Sequence, residues 1–369
     1  MESADSRKRK KKELLSTPVN QIAIEEDMRV DDLVEQMAGM SIQARNLGLC
    51  ALIYEKMLTD EKRPTVFLGL SGPLIAAGLR RVIRDMIEKN LVDVVVSTGA
   101  ILYQDFYQAL GGDHYTGSPD MDDVLLRDLY IDRIYDTLVD EEKFGETDRY
   151  IGELALSLEP RGYSSREFLD FLGSQVDDPD SILATAHRHG IPVFSPALND
   201  SSIGIGLTYA YARQKKNRSE KNISGGGGSG GEKFYIDPIR DNYELTQIII
   251  NSRSTGAVYI GGGTPKNYIN DAVVMANYGL EREVEGHEYA IQITTATPLD
   301  GGLSGSTLGE AQSWGKIYRE AKKAMAFVEA SIGLPLIAGY LFGRRVGENR
   351  TRLRFVWDGD ALVSMEPYR

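Results

Sequence analysis

Three times along this chain, an apolar strand segment ends in a turn of small residues that leads into a helical segment. The strand segments are Thr65–Leu70, Leu91–Ser97 and Ala257–Ile260, and the turns are 71–73, 98–100 and 261–263. Alternation of buried strands with helices is typical of a parallel sheet covered by helices. The sequence therefore predicts a doubly wound, mostly parallel, Rossmann-like α/β sheet with helices on both faces.

The rest of the chain fits the same architecture. A helical pattern runs from Val30 to Leu58, and the apolar run Leu334–Leu341 predicts a further strand. Near the end, Thr351–Trp357 and Ala361–Met365 flank the turn 358–360, Asp-Gly-Asp, which is a strong hairpin signal. We therefore expect a C-terminal β-hairpin at the end of the sheet domain.

Composition excludes several classes of protein. With 42% hydrophobic and 26% charged residues, the 369-residue chain has globular values. A net charge of −12 argues against a nucleic-acid surface and suits a cationic small substrate or a basic partner. The single cysteine, Cys50, excludes an internal disulfide, and without metal-type Cys/His spacing we expect no metal. Since neither a membrane-length apolar run nor a signal-peptide core is present, the sequence predicts a soluble cytoplasmic protein.

Composition also suggests the domain organisation. Residues 1–29, with the basic run Arg7–Lys12, are predicted to be a flexible extension rather than a binding element for acidic surfaces. Residues 30–345 are predicted to form one catalytic domain, and 346–369 a hairpin packed on it. A glycine- and serine-rich stretch, 214–232, predicts a mobile surface insertion, either native or an engineered replacement.

The stretch Tyr289–Lys323 carries the strongest chemical signal. A strand is predicted at its start, turn residues follow, and a helical pattern begins at Ser306 or Thr307 and continues through Trp314 and Lys316. A lysine beside an indole in a dry pocket can lose its charge and act as a nucleophile in imine chemistry. Alternatively, Trp314 anchors the core and Lys316 is an ordinary solvated helix residue, and the residue pattern alone leaves both interpretations open.

The segment Ala311–Ile317, AQSWGKI, resembles the E-A-V-S-W-G-K-I segment of deoxyhypusine synthases, in which the lysine carries an aminobutyl group covalently. Four other segments match that family in order and spacing, so that the resemblance covers roughly residues 30–335. These are Phe67-Leu68-Gly69, Thr98-Gly99, Ser195–Gly204, and Gly261-Gly262-Gly263 with Pro265-Lys266.

The resemblance implies a specific reaction. In this family NAD oxidises spermidine at a secondary-amine carbon, and the imine loses 1,3-diaminopropane as its butyl part moves to the active-site lysine. The butyl-imine then passes to a lysine of the translation initiation factor 5A precursor and is reduced by the retained NADH. The resemblance further implies a homotetramer with active sites between paired subunits.

It also implies which residues do this work. Lys316 is the implied nucleophile, while Trp314 walls the methylenes of the polyamine and Glu310 pairs with a terminal ammonium. The predicted substrate-binding residues are Glu310, Trp314, Asn267 and Asp271. The predicted NAD-binding residues are Thr98, Asp200, Gly262, Gly263, Thr295, Ala296, Asp300, Ser304 and Glu329, the last in place of an aspartate.

Several positions depart from the eukaryotic pattern. Asn267 replaces a histidine and cannot accept a proton near neutral pH, and Ile205 and Leu303 replace two polyamine-binding acids. Tyr103-Gln104 replaces an acidic pair, so either the bound amine has fewer charges or other acids, such as Asp105 or Asp271, take over. These differences resemble the archaeal and bacterial branches. They leave two alternatives open: a homospermidine synthase-like transfer to putrescine or another small amine, and a non-catalytic NAD- or polyamine-binding homologue.

Overall fold

A six-stranded parallel sheet forms the centre of the structure, a computed structural model that describes residues 4–223 and 233–368. The strands are β1 (Thr65–Leu70), β2 (Val94–Ser97), β3 (His114–Thr116), β4 (Ile131–Ile134), β5 (Thr137–Asp140), β6 (Gly162–Tyr163), β7 (Val193–Phe194), β8 (Tyr235–Ile236), β9 (Thr255–Ile260), β10 (His287–Ile293), β11 (Ile317–Ala326), β12 (Arg352–Asp358) and β13 (Ala361–Tyr368). The helices are α1 (Ala4–Leu14), α2 (Val30–Met37), α3 (Ile42–Thr59), α4 (Arg80–Glu88), α5 (Gly99–Ala109), α6 (Asp123–Asp128), α7 (Glu141–Ser157), α8 (Ser165–Ser174), α9 (Ile182–His189), α10 (Ser202–Ile223), α11 (Pro238–Asn251), α12 (Gly263–Val274), α13 (Leu308–Ser313) and α14 (Ala330–Gly343). A π-helical turn, Met275–Gly279, and a 3₁₀ turn, Pro298–Asp300, complete the set.

The strand order is β7-β2-β1-β9-β10-β11, and every neighbouring pair is parallel. The chain starts at β1, builds outward through β2 and β7, and then crosses back to lay β9 on the other side of β1. This is the order of the dinucleotide-binding doubly wound fold, whose ligands bind where the direction of winding switches. Together with the antiparallel pair β12–β13, it confirms the predicted fold class.

Two apolar cores lie on opposite faces of the sheet. Along β1, Leu68 and Leu70 pack in one core with Tyr54 of α3, while Phe67 packs in the other. Ile248 of α11 contributes to that second core. Because successive strand residues point to opposite faces, a strand that is apolar throughout must be covered on both sides. Every residue of β1 is buried, as this requires.

Two predicted elements are wrong. The helix predicted over 30–58 is two helices, α2 and α3, separated by residues 38–41, and Ile42 at the start of α3 has a φ of 57°. The strand predicted at Leu334–Leu341 is part of helix α14. A short run that is apolar on every side shows no period, so the pattern could not distinguish a buried strand from a buried helix.

Other regions gained structure that the sequence did not reveal. The charged stretch 111–162 contains a small antiparallel sheet, β3-β5-β4, with α6 and α7. The first part of the predicted insertion, 214–223, continues α10, and its glycine-rich part lies outside the described residues. The basic N-terminal run lies in α1 and is exposed. No described helix has the length and apolar character needed to cross a membrane.

Candidate active site

A glycine turn follows β9 at the point where the sheet switches direction. Gly261 and Gly263 have φ values of 76° and 62°, the left-handed region that favours glycine. At Gly262, an added Cβ would lie 2.6 Å from Cα of Ser304. The Gly262 amide donates a hydrogen bond of 2.8 Å to Oγ of Ser71, which ties the turn to the end of β1. At Gly262 the backbone is therefore packed too closely against residue 304 for any side chain.

This turn forms part of a cleft of about 530 Å³ at the carboxyl ends of the central strands. The N-termini of α5, α12 and α14 all contribute lining residues, so their free amides and positive dipole ends favour a negatively charged ligand. Seven of the nine predicted NAD-binding residues line it: Thr98, Gly262, Gly263, Thr295, Ala296, Ser304 and Glu329. We call this cavity the cofactor cleft.

The other two predicted NAD-binding residues do not line the cofactor cleft. Asp200 is exposed in the turn before α10, and Asp300 is exposed in the 3₁₀ turn, where its Oδ1 accepts a hydrogen bond of 2.8 Å from the Gly302 amide. An Asp in either turn also has a local structural reason to be there, because short acidic side chains favour turns. Their roles in binding remain predictions.

Lys316 lies in the short connection between α13 and β11, and the prediction that it continues a helix is wrong. The helix begins at a Thr307 cap, whose Oγ1 accepts from the Glu310 amide at 3.0 Å, and it ends at Ser313. Gly315 follows with a φ of 70°, and the Gly315 and Lys316 amides donate back to the carbonyls of Gln312 and Ala311. This is a Schellman motif, and it turns the Lys316 side chain away from the helix surface.

The Lys316 amine faces a cavity of about 570 Å³, here called the lysine cavity. Its Nζ lies 2.8 Å from Oδ1 of Asp271 and donates at 3.2 Å to Oδ1 of Asn267. Asn267 in turn donates from Nδ2 to Oδ2 of Asp271 at 2.7 Å. The three side chains form a closed ring of polar contacts, since Asn267 and Asp271 lie one turn apart on α12. Only 14% of the Lys316 side chain is exposed.

Trp314 is at the mouth of this cavity, with its ring centre 5.4 Å from the Lys316 Nζ. The side chain is 65% exposed, so the alternative of a buried core anchor is wrong. Glu310, the other predicted substrate ligand, is exposed on α13 and is not among the residues that line the cavity. The structure thus brings three of the four predicted substrate-binding residues to Lys316.

Lys266 is a functional candidate that sequence reasoning missed. Its side chain is 1% exposed, and Nζ donates to Oε1 of Gln292 at 2.9 Å and to the carbonyl and hydroxyl of Ser306. Gln292 in turn donates to the carbonyls of Gly261 and Ser304, both at 2.9 Å. Burial lowers the pKa of Lys266 to about 8, with Glu310 raising it and the Lys316 charge lowering it further. The sequence signals were its place three residues after the glycine turn and its membership in the Pro265-Lys266 pair that matches the family.

The cofactor cleft and the lysine cavity meet at the start of α12. Thr264, the second residue of that helix, lines both. One helix therefore carries the glycine turn at its N-terminus and both polar partners of Lys316 one to two turns later. A ligand in the cleft and the amine of Lys316 are held against the same short stretch of backbone. Within the described part of the chain, no group of three or more His, Cys, Asp or Glu side chains could hold a metal ion.

A family model and individual relatives of known sequence all point to the same family. The family model described as deoxyhypusine synthase matches residues 32–341. "Probable deoxyhypusine synthase 2" of Methanosarcina mazei is 43% identical, over 93% of this chain and 95% of its own length. The chain belongs to the deoxyhypusine synthase family. This confirms the predicted resemblance to an archaeal and bacterial branch.

Bacterial relatives extend the family match over almost the whole chain. A deoxyhypusine synthase-like protein of Chlorobaculum tepidum is 43% identical, over 98% of this chain and 99% of its own length. Among solved structures, a protein of Entamoeba histolytica that is named for the same family has a TM-score of 0.57 and 18% identity. It covers 88% of this chain and 97% of its own. That likeness supports the fold, and the sequence relatives place the chain in the family.

Proposed function

We propose that this protein is an NAD-dependent aminobutyltransferase of the deoxyhypusine synthase type, which carries the aminobutyl group of spermidine on Lys316. One observation carries the proposal. The nearly buried amine of Lys316 lies in a cavity that shares Thr264 with a cleft lined by seven of the predicted NAD-binding residues. A nucleophile and a cofactor site on one helix N-terminus are what a coupled oxidation and transfer requires.

The cofactor cleft fits a dinucleotide. Its glycine turn leaves the space beside Gly263 open, where an added Cβ would meet nothing closer than Oγ of Ser304 at 3.6 Å. Helix N-termini supply amides for a pyrophosphate. Glu329 caps α14 through its Oε2, which accepts from the Ser331 amide at 2.8 Å, and its other carboxylate oxygen can serve ribose hydroxyls. When bound, NAD would supply the hydride acceptor that makes the amine carbon of the substrate electrophilic. The residues of the chain then bind, orient and protect that carbon.

The lysine cavity fits a polyamine. A polyamine alternates ammonium groups with methylene chains, so it needs both carboxylates and apolar walls. Asp271 supplies a carboxylate, while Val274, Met275 and the face of Trp314 supply apolar surface. The net charge of −12 further favours a cationic substrate. The exposed Trp314 ring at the mouth supports an assembly in which a second subunit of a homotetramer covers the site.

The proposed acceptor is a lysine of the translation initiation factor 5A precursor in the cytoplasm. Transfer to a small amine such as putrescine is the second candidate, because Ile205 and Leu303 present exposed apolar surface where the eukaryotic pattern has acids. Either acceptor would take the butyl group from the same lysine. The acceptor therefore decides the biological product and leaves the role of Lys316 unchanged.

A trapping experiment tests the proposal. Purified protein is incubated with NAD and spermidine, reduced with borohydride and examined by intact-mass and peptide analysis. The expected result is one addition of butylamine size at Lys316. Lys316→Arg should bind NAD and gain no addition, whereas Lys323→Arg, a matched change on β11, should behave as the unaltered protein. Transfer retained by Lys316→Arg would refute the mechanism.

The same preparation then distinguishes the acceptors. The Lys316 adduct is formed with NAD and spermidine, is left unreduced by omitting borohydride, and is offered either the factor 5A precursor or putrescine. The product is identified by mass. Transfer to the protein lysine supports the first candidate and transfer to putrescine the second. If wild-type protein forms neither NADH nor an adduct with spermidine, the non-catalytic alternative is supported instead.

A further inference from the structure

The amine of Lys316 is held by an ion pair in this structure. An ammonium ion has no lone pair, so a lysine must lose a proton before it can attack carbon. A carboxylate in contact favours the charged form of a lysine. Oδ1 of Asp271 lies 2.8 Å from the Lys316 Nζ, and Nζ donates a second hydrogen bond to Oδ1 of Asn267. In the arrangement seen here, the amine that should be the nucleophile is therefore held by a carboxylate and an amide oxygen.

The lysine cavity is lined by few charged side chains. Nine residues line it, and among them Asp271 is the one carboxylate and Lys316 the one cation. The residues contributed by α11 and the π-helical turn, Asn242 and Met275, are uncharged. Beyond the wall, the ammonium of Lys266 is close enough to repel that of Lys316. A second cation that enters the cavity therefore finds one negative partner, already in use.

We propose that Asp271 is shared between Lys316 and the substrate. In the free protein its carboxylate masks Lys316 as an ammonium ion, and a cationic end of the polyamine takes the carboxylate over on binding and frees Lys316 to attack. This inference rests on the proposed function. It assigns Asp271 a role in activating Lys316, where the sequence had suggested only substrate binding.

Physical chemistry supports the exchange. Once the substrate ammonium pairs with Asp271, Lys316 is left beside like charges, Lys266 on one side and the substrate on the other, and like charges favour loss of a proton. Asn267 contacts both Nζ and the carboxylate, so it can keep the amine in place while its partner changes. Because Asp271 is 39% exposed, its carboxylate remains accessible to an incoming cation.

The butyl group then moves to Lys316 by an imine exchange. Lys316 first releases one proton to water. The neutral amine then forms a bond from Nζ to the electrophilic imine carbon of the substrate, and the bond from that carbon to the departing nitrogen breaks. The departing amine takes the bonding pair and one proton from Nζ, and the carbon remains double-bonded to the Lys316 nitrogen. The oxidant that generates the electrophilic carbon is NAD, as in the proposed function.

Chemical labelling tests the masking without substrate or cofactor. The free protein is treated at neutral pH with a small amine-reactive ester, and labelling of Lys316 is followed by peptide mass analysis, with Lys323 as internal reference. Asp271→Asn should label Lys316 several-fold faster, because the carboxylate that lies 2.8 Å from its amine is gone. Labelling at the wild-type rate would overturn the proposal.

Two further variants separate charge from packing. Asp271→Glu keeps the carboxylate and should label as slowly as wild type, and Glu283→Gln removes an exposed charge outside the cavity and should change nothing. If Asp271→Glu labels as fast as Asp271→Asn, the acceleration reflects an opened cavity and the proposal is refuted.

A kinetic measurement tests the second half of the proposal, in which Asp271 changes its ion-pair partner from Lys316 to the substrate. In Asp271→Asn the KM for spermidine in NADH formation should rise at least about tenfold, because the cation loses its partner. An unchanged KM would overturn this half. These outcomes are distinct from failure of the proposed function, in which the wild-type protein itself forms no adduct on Lys316.

Discussion

Lys266 makes the stability of this fold depend on pH in a predictable direction. The side chain is buried beneath the glycine turn, and burial lowers its pKa from the ordinary 10.5 to about 8. The folded state therefore releases the proton near pH 8, whereas the unfolded chain keeps it until about pH 10.5. Between these values the unfolded state binds more protons, so the free energy of unfolding must rise with pH.

The size of the effect follows from the two pKa values. Each unit of difference corresponds to about 1.4 kcal/mol. A shift from 10.5 to about 8 therefore contributes about 3 kcal/mol, gained as pH rises through this window. Below pH 8 the lysine is charged in both states, and the folded protein bears the full cost of burying an ammonium ion. Above pH 10.5 it is neutral in both, and the gain is complete.

The assay compares urea unfolding of wild type with that of Lys266→Met at several pH values from 7 to 10.5. Methionine keeps an unbranched, similarly long side chain and removes the titrating group. Subtracting the two free energies of unfolding cancels the titration of every other group. The free energy of unfolding of the wild type, minus that of Lys266→Met, should increase by about 3 kcal/mol as the pH rises from 8 to 10.5.

Lys56→Met, a change of an exposed lysine on α3, should give a difference that does not depend on pH. If the curves for wild type and Lys266→Met stay parallel from pH 7 to 10.5, Lys266 titrates normally and the burial argument is refuted.

Two other changes test the site and its surroundings. If NAD binds as proposed, Gly262→Ala should lower its affinity more than about tenfold with little loss of helix content, because the new Cβ would lie 2.6 Å from Cα of Ser304. Calorimetry measures the affinity and circular dichroism the helix content. The control is Gly145→Ala, whose Cβ would meet nothing closer than Nη1 of Arg149 at 3.9 Å. Burial raises the pKa of the Asp241 carboxyl from 3.8 to about 7, with the Glu244 charge adding to it. The folded state then keeps the proton to a higher pH than the unfolded chain does, so the free energy of unfolding falls by about 4 kcal/mol as the pH rises from 3.8 to about 7. Urea unfolding of Asp241→Asn should lack this fall. An equal pH dependence in wild type and variant would contradict it.

The sheet could be predicted because its strands have strong local signals. β1 and β9 are mostly apolar, are buried at every residue and are followed directly by Ser71 and Gly261, which is the pattern of a strand covered on both faces. The elements that failed carry ambiguous signals. Helix α14 is apolar on nearly every side and so shows no period, and its identity depends on what surrounds it.

The reactive segment shows the same division between local and tertiary information. Gly315 was visible in the sequence, and a glycine after a short helix is a common stop signal that could have ended the predicted helix before Lys316. Strand β11, which follows at once, has exposed and half-buried residues along most of its length, so its pattern is weak. It is a strand because β10 pairs with it at the edge of the sheet.

The residues of the site differ in what made them predictable. The glycine turn could be predicted from the sequence, because its positive φ values and close backbone contacts require glycine. Lys266 and the Asp271–Lys316 contact depend on two distant segments meeting, α12 and the α13–β11 connection, and no local pattern encodes that meeting. Resemblance to the family supplied part of this information, because it marked the matching positions without giving their contacts.

Helix α12 also shows how the departure from the eukaryotic pattern at Asn267 is accommodated. Asn267 stands where a proton-accepting histidine is expected, and taken alone that change would leave Lys316 without a titrating partner. Asp271 lies one turn later on the same face, and Asn267 donates to its carboxylate while accepting from Lys316. The asparagine therefore connects the lysine to an acid and does not simply replace a base. Under the proposed function, a lysine that contacts a carboxylate responds to the charge of whatever enters the cavity, and the arrival of a cationic substrate would govern its reactivity.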